Sequence, residues 1–214
     1  MREALDNLEE GIKVGGRRIK AIRFADDQAI LSSSNKGLQI LMNRLDEVSK
    51  DYGMRINVKK TKIMKISKYG GNMKIVINGT ELEQVDEYVY LGSLITQDAK
   101  CHWEIRRRTA MGKEAFMQRK ELLRGNLNIN LKKRMVKTLI WPVVLYASET
   151  WTIRKEDRKK IEAFEMWVWR RLKKVSWKEK ITNEAILEMV EERKSLINTI
   201  TKSTTELDWT RSPR

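Results

Sequence analysis

The spacing of apolar residues changes once along this chain, near Thr96, and that change limits the fold more than any other feature. Before it, apolar runs are short and punctuated by turn residues; after it, they recur at helical spacing over long stretches. Residues 4–12 carry Leu5, Leu8 and Ile12 at helical spacing, which predicts the end of a helix stopped by Gly15-Gly16. Strands are predicted over 19–24 and 29–31. A helix comes next, capped by Ser33-Ser34-Asn35, carrying Leu38, Leu41, Leu45 and Val48, and stopped at Tyr52-Gly53. It is succeeded by a strand over 62–66. Strands over 74–77 and 82–85 then flank Asn78-Gly79, a strong hairpin signal, and a short strand lies over 88–94. Beyond Asp98 the chain reads as helices over 103–123, 131–145, 155–175 and 183–200, and this half holds all seven tryptophans. The expected fold class is α+β for residues 1–96, followed by an all-helical region over 97–180. Residues 181–214 are expected to form a C-terminal helix and a loose tail.

The chain has 214 residues, enough for one domain or two small ones. Its 34% charged and 41% hydrophobic content is that of a globular protein. The net charge of +15 points to an anionic partner, most often nucleic acid. One cysteine, Cys101, beside one histidine, His102, cannot build a zinc knuckle or a disulfide framework, so an intracellular compartment, nuclear or cytoplasmic, is expected. His102 reads as a surface side chain at a helix start. No apolar run approaches the ~18 residues of a membrane span, and the acidic, amphipathic N-terminus is not a secretion signal.

Two carboxylates, Asp26 and Asp27, stand between the strands predicted over 19–24 and 29–31, where a hairpin would turn. Adjacent carboxylates at a strand end suit a hard divalent cation such as Mg²⁺, and two-metal phosphoryl transfer needs such groups. The competing reading is a polar turn, for which Asp is a common residue.

The order of motifs along the chain carries a resemblance. Phe24-Ala25-Asp26-Asp27 is followed by a helix. Then come Gly53-Met54-Arg55-Ile56-Asn57-Val58-Lys59-Lys60-Thr61-Lys62, a hairpin ending in Tyr90-Leu91-Gly92, and basic helices. This series closely resembles the reverse transcriptase of non-LTR, LINE-type retrotransposons of the RTE/jockey-like kind, over residues 1–200. The resemblance implies a partial palm in residues 1–96 and a thumb-like helical region after it. It implies that Asp26 is a direct Mg²⁺ ligand, that Asp27 is its catalytic neighbour, and that RNA template and DNA primer are the partners. Lys60 inherits the place of a general acid for the pyrophosphate leaving group, where a cation offsets developing charge; a solvated lysine is the alternative. Tyr90, Leu91 and Gly92 inherit the place of a primer grip, against an ordinary strand with a glycine bulge. The aromatic position is more often Tyr in this family, and Phe24 lacks its hydroxyl. The family's palm also has an upstream Asp-bearing strand and fingers, and only 23 residues precede Phe24. Glu3, Asp6, Glu9 and Glu10 are expected on a helix rather than on such a strand. The chain is therefore expected to be the C-terminal part of such an enzyme and not to polymerise alone. A basic nucleic-acid-binding module and a degenerate element product are the rival readings.

Basic clusters recur through the helical half at Arg106-Arg107-Arg108, Lys132-Lys133-Arg134, Arg158-Lys159-Lys160 and Arg170-Arg171 with Lys173-Lys174. By the resemblance they track a template–primer duplex through its phosphates. Trp167-Val168-Trp169 invites base stacking. The spacing of Phe164, Trp167 and Val168 instead assigns Trp167 to the core and leaves Trp169 the more exposed ring. Trp141-Pro142-Val143-Val144 reads as buried helix kinked at Pro142.

Overall fold

A computed structural model describes Leu5, residues 8–67 and residues 70–206. The chain divides into two compact units, Met1–Ala99 and Lys100–Arg214. Glu3, Asp6 and the tail beyond residue 206 lie outside the described residues.

The first unit is mixed α and β, and its strands meet only in pairs. β1 (Ile12–Val14) and β2 (Arg17–Ile19) form an antiparallel hairpin. This corrects the helix expected over 4–12: Leu5 is helical, but residues 8–10 are irregular and Ile12 is already in a strand. Gly15 and Gly16 both take positive φ, 55° and 79°. Two such residues twist a hairpin tightly shut, so the pair turns a strand back rather than ending a helix. β3 (Ala21–Phe24) and β4 (Asp27–Ile30) form the second hairpin, with Phe24 opposite Asp27.

Helix α1 (Asn35–Asp51) comes after it, with the Ser34 hydroxyl accepting the Gly37 N–H at 3.0 Å and Gly53 at φ 69° just beyond its end. The Glu10 carboxylate lies against Gly37 in the first turn of α1, where the helix dipole favours an anion. One flank of α1 buries Leu41 and Val48 against Leu5. Another buries Met42 against Ile63, Ile75, Ile77 and Leu82.

β5 (Lys62–Ile63) pairs in parallel with β8 (Glu83–Gln84), and β6 (Val76–Ile77) pairs with β7 (Thr80–Glu81) around Asn78-Gly79. The Gln39 amide spans to the Val76 backbone, donating to its carbonyl at 2.7 Å and accepting its N–H at 2.9 Å. Asn78 donates to Asp46 at 3.1 Å and accepts from Lys50 at 2.6 Å, so the turn is fastened to the helix. β9 (Glu87–Tyr90) and β10 (Ser93–Thr96) close the unit as a fourth hairpin where one strand over 88–94 was expected.

The second unit is helical: α2 (His102–Gln118), α3 (Lys120–Arg124), α4 (Ile129–Leu139), α5 (Trp141–Val144), α6 (Lys155–Leu172), α7 (Asn183–Val190) and α8 (Leu196–Glu206). The stretch expected as one kinked helix over 131–145 is two, with Pro142 in the first turn of α5, where its missing N–H costs nothing. The helix expected over 183–200 also breaks, at Glu191 with φ 52°. Buried Glu165 accepts the backbone N–H groups of Ser195 at 2.9 Å and Leu196 at 3.3 Å, which restarts the chain as α8.

α6 is the central helix, with α2, α3, α7 and α8 all packed on it. That overturns the expected exposure of Trp169, while Trp167 packs against the core as expected. Trp169 is 0% exposed, packed edge-on to Trp141 at 5.5 Å, whereas Trp167 is half-buried. Helical spacing picks out a single apolar face, and a helix enclosed on several sides has more than one.

Candidate functional site

Asp26 occupies the turn of the β3–β4 hairpin, and Asp27 is the first residue of β4. The turn holds only Ala25 and Asp26, and Ala25 takes φ 50°, a left-handed conformation that is unfavourable for any residue with a Cβ. Both carboxylates are exposed at the hairpin tip. Phe24, opposite Asp27, is 66% exposed, and Ile22 on the same strand is also exposed. A polar turn needs no exposed aromatic ring.

The β9–β10 hairpin turns through Leu91 (φ 47°) and Gly92 (φ 77°), so Tyr90-Leu91-Gly92 is a strand end and its turn rather than a bulged core strand. The Tyr90 hydroxyl donates to the Ile22 carbonyl of β3 at 3.2 Å. Burial, and then the negative charge of Asp27, push that hydroxyl above its ordinary pKa of about 10. Residues more than sixty positions apart in sequence are thereby brought together: the Asp-Asp hairpin and the Tyr-Leu-Gly hairpin touch at Tyr90. Nothing in the local sequence of either signals that contact.

Lys60 lies in an exposed turn organised by Asn57, whose side-chain oxygen accepts the Lys60 N–H at 3.1 Å. The Asn57 carbonyl accepts the Thr61 N–H and hydroxyl, both at 2.9 Å. Ile56 and Val58 anchor this turn on the cluster around Met42 and Ile63. Among the described residues no ion pair joins Lys60 to Asp26 or Asp27.

Among the described residues no group of three or more His, Cys, Asp or Glu side chains is placed to hold a metal ion. Two exposed carboxylates nevertheless suit Mg²⁺ in one role. That ion keeps several waters and is commonly held by one or two carboxylates together with substrate phosphates. Asp26 and Asp27 are the residues that would hold it. Glu9 and Glu10 lie in the irregular segment before β1, and Glu10 is at the start of α1.

The basic residues of the helical unit divide by environment. Arg106, Arg134 and Arg171 are exposed. Arg107 pairs with Glu104 at 3.0 Å. Arg108 is buried, bonded to Glu104 at 2.7 Å with its guanidinium over Tyr146 at 4.3 Å. Lys132 is buried and donates to the Gly125 carbonyl at 2.6 Å, and buried Lys133 faces Glu191 and Glu192. Burial, then Lys174 and Lys173, lower the Lys132 pKa. Arg170 donates to the Ile181 carbonyl at 2.7 Å and to Asn183 at 2.9 Å. His102 begins α2 as expected, 3.1 Å from buried Asp157. Lys113, absent from every basic cluster in the sequence, lies over the Trp167 ring.

Residues 1–95 match the family model described as reverse transcriptase (RNA-dependent DNA polymerase), so this part of the chain is a reverse-transcriptase region. Over 152 residues, 67% of the chain, the protein is 30% identical to an uncharacterized transposon-derived protein of Caenorhabditis elegans. The chain spans about half that relative's length, 53% of it. No solved structure matches. Among the described residues no helix is long and apolar enough to cross a membrane.

Proposed function

We propose that the first unit is part of the palm of an RNA-directed DNA polymerase from a non-LTR retrotransposon, and that the second is its thumb-like region. Asp26 and Asp27 form one side of a Mg²⁺ site, and Tyr90-Leu91-Gly92 supports the primer end beside it. The partners are an RNA template and a DNA primer. The observation that carries this reading is the Tyr90 hydroxyl on the Ile22 carbonyl with the Asp27 charge beside it. This contact supports the reading because a primer grip has to lie beside the carboxylates of the palm.

Mg²⁺, when bound, offsets the charge that develops on the transferred phosphoryl group. The protein's own residues orient the reacting ends. The Ala25 turn presents the carboxylates at the hairpin tip, and the Tyr90 bond fixes the β9–β10 hairpin against the β3–β4 hairpin. Lys60, exposed at the tip of the Asn57 turn, supplies a cation for the leaving pyrophosphate.

Two carboxylates are too few for a pair of metal ions, so polymerisation requires a further acidic ligand from beyond the described residues. The test is primer extension on an RNA template with Mg²⁺ and the purified chain. No incorporation is expected. Incorporation that disappears in Asp26→Ala would refute the claim that the site is incomplete. The second reading, nucleic-acid binding without catalysis, is favoured by the exposed charges of Arg106, Arg134 and Arg171. It predicts duplex binding that weakens steeply as salt rises.

A further inference from the structure

We propose that Lys113 and Arg171, both held by the ring of Trp167, form a clamp for nucleic-acid phosphates on the helical unit. The inference rests on the nucleic-acid reading above and gives it a location.

The Trp167 ring is fixed from within. Phe116 meets it edge-on at 5.3 Å, and Phe164 lies nearly parallel to it at 16° and 6.3 Å. Phe116 and Phe164 are buried, so the ring is set by the core. Two cations use it from outside: the Arg171 guanidinium at 4.9 Å and the Lys113 ammonium at 5.6 Å from its centre. They come from different helices, α6 and α2, which pack directly on each other. Both side chains are exposed.

Two like charges drawn to one ring repel each other unless an anion lies between or beside them. Among the described residues, no ion pair engages Lys113, Arg171, Lys173 or Lys174. Glu114, next to Lys113, is engaged by Gln118 at 3.4 Å. The contrast with the rest of the unit is sharp. Arg107, Arg108, Lys133 and Lys137 have carboxylate partners, and Arg170 is bonded to Ile181 and Asn183. Lys173 and Lys174 follow directly after the end of α6, and both are exposed. Burial is the larger cause of the lowered Lys132 pKa, and the charges of Lys174 and Lys173 at this end of α6 add to it.

A phosphodiester supplies the missing anion. A planar guanidinium can take two phosphate oxygens at once, and an ammonium can take a third from a neighbouring group. Holding both side chains on the ring removes rotamer freedom before binding, so less is lost when the phosphate arrives. Trp167 is thus a positioning residue, and Lys113 and Arg171 are the binding residues.

The test measures binding of the full chain to a DNA duplex, an RNA–DNA hybrid and a single strand of equal length, each across a salt series. The variants are Lys113→Gln/Arg171→Gln and, as the control, Lys120→Gln/Lys155→Gln, which removes the same charge from exposed positions outside the basic clusters. The clamp pair is expected to lower the slope of log affinity against log salt by about 2, about 1 for each cation removed from a phosphate, with the thermal midpoint unchanged. The control pair is expected to leave the slope in place. Arg171→Lys keeps the charge but loses the planar fork, so its slope should hold while its affinity falls. The nucleic acid with the largest difference between wild type and clamp pair is the one the clamp grips. Equal slopes for wild type and clamp pair would overturn the clamp alone, as would an equal loss in the control, because the charge would then act diffusely. Absence of binding by the wild type at low salt would overturn the nucleic-acid reading itself and the clamp with it.

Discussion

Tyr90→Phe removes one hydroxyl and tests the contact on which the candidate site depends. The hydrogen bond it deletes is 3.2 Å long and ends on the carbonyl of Ile22, an exposed residue that water can reach once the hydroxyl has gone. A bond replaced in this way is worth about 0.5–1 kcal/mol, the lower half of the usual range. The first unit should then lose about 2–8 °C of thermal midpoint, given the usual sensitivity of a domain near 100 residues. Backbone amides of β9 and β10 should exchange faster, because the hairpin loses its tie to β3.

Alkaline titration gives the companion measurement. The Tyr90 pKa is raised in the folded state, so the neutral phenol is the form that folding favours. Its stabilising effect is fully present below about pH 10 and is lost as pH rises through the higher folded value. Asp27→Asn should bring the Tyr90 titration down part of the way, since burial is the larger cause and remains. NMR of ring-labelled tyrosine reads this directly. An unchanged midpoint and unchanged exchange in Tyr90→Phe, or a Tyr90 titration indifferent to Asp27→Asn, would refute the reasoning that the two hairpins are in contact.

Other substitutions probe the frame around the site. Glu165→Ala strands the backbone N–H groups of Ser195 and Leu196 in a buried place and should cost about 2–3 kcal/mol in urea denaturation. Glu165→Gln, which keeps an acceptor, should cost less, and equal losses would mean that the charge itself matters. Gly112→Ala should destabilise by about 1–3 kcal/mol despite alanine's better helix propensity, because a Cβ there would overlap Val144 and lie 2.8 Å from Phe164; a more stable variant would show that α2 can move away. Asn57→Ala should loosen the Lys60 turn at a cost of about 1 kcal/mol, seen as faster amide exchange at Lys60 and Thr61 with α1 unaffected; protection equal to wild type would rule out the Asn57 anchor.

Features set by neighbouring residues were legible in the sequence. Ser34 and Gly53 bounded α1 as cap and stop residues should, and Asn78-Gly79 turned a hairpin because both residues accept positive φ. Features set by distant packing were not. Leu91 enters the left-handed region against its own preference, which is why a hairpin read as a strand. Gly15-Gly16 signals a turn equally well after a helix or between strands, and only the pairing of Ile12 with Ile19 decides it. Trp169 is buried against expectation because α6 is enclosed on several sides, whereas Trp167 packs on the core as expected. Arg108, Lys132 and Lys133 looked like phosphate ligands in a run of basic residues, yet all three are buried and engaged internally. Charge runs along a sequence do not separate cations that hold a fold from cations that face solvent. The carboxylate pair was legible by type and order, but its strained turn and its contact with Tyr90 were not.

In the function proposed above, Asp26 and Asp27 present one side of a metal site with the Tyr-Leu-Gly hairpin beside it. Mn²⁺ prefers the same oxygen-rich octahedral ligation as Mg²⁺ and broadens NMR signals near it. Titrating the chain with Mn²⁺ should broaden the β3–β4 turn and the Tyr90 ring before any other signal. The Asp26→Asn/Asp27→Asn variant should lose that selectivity. Broadening that begins elsewhere would rule out a metal site at these carboxylates, and broadening of the turn that spares Tyr90 would separate the Tyr-Leu-Gly hairpin from it.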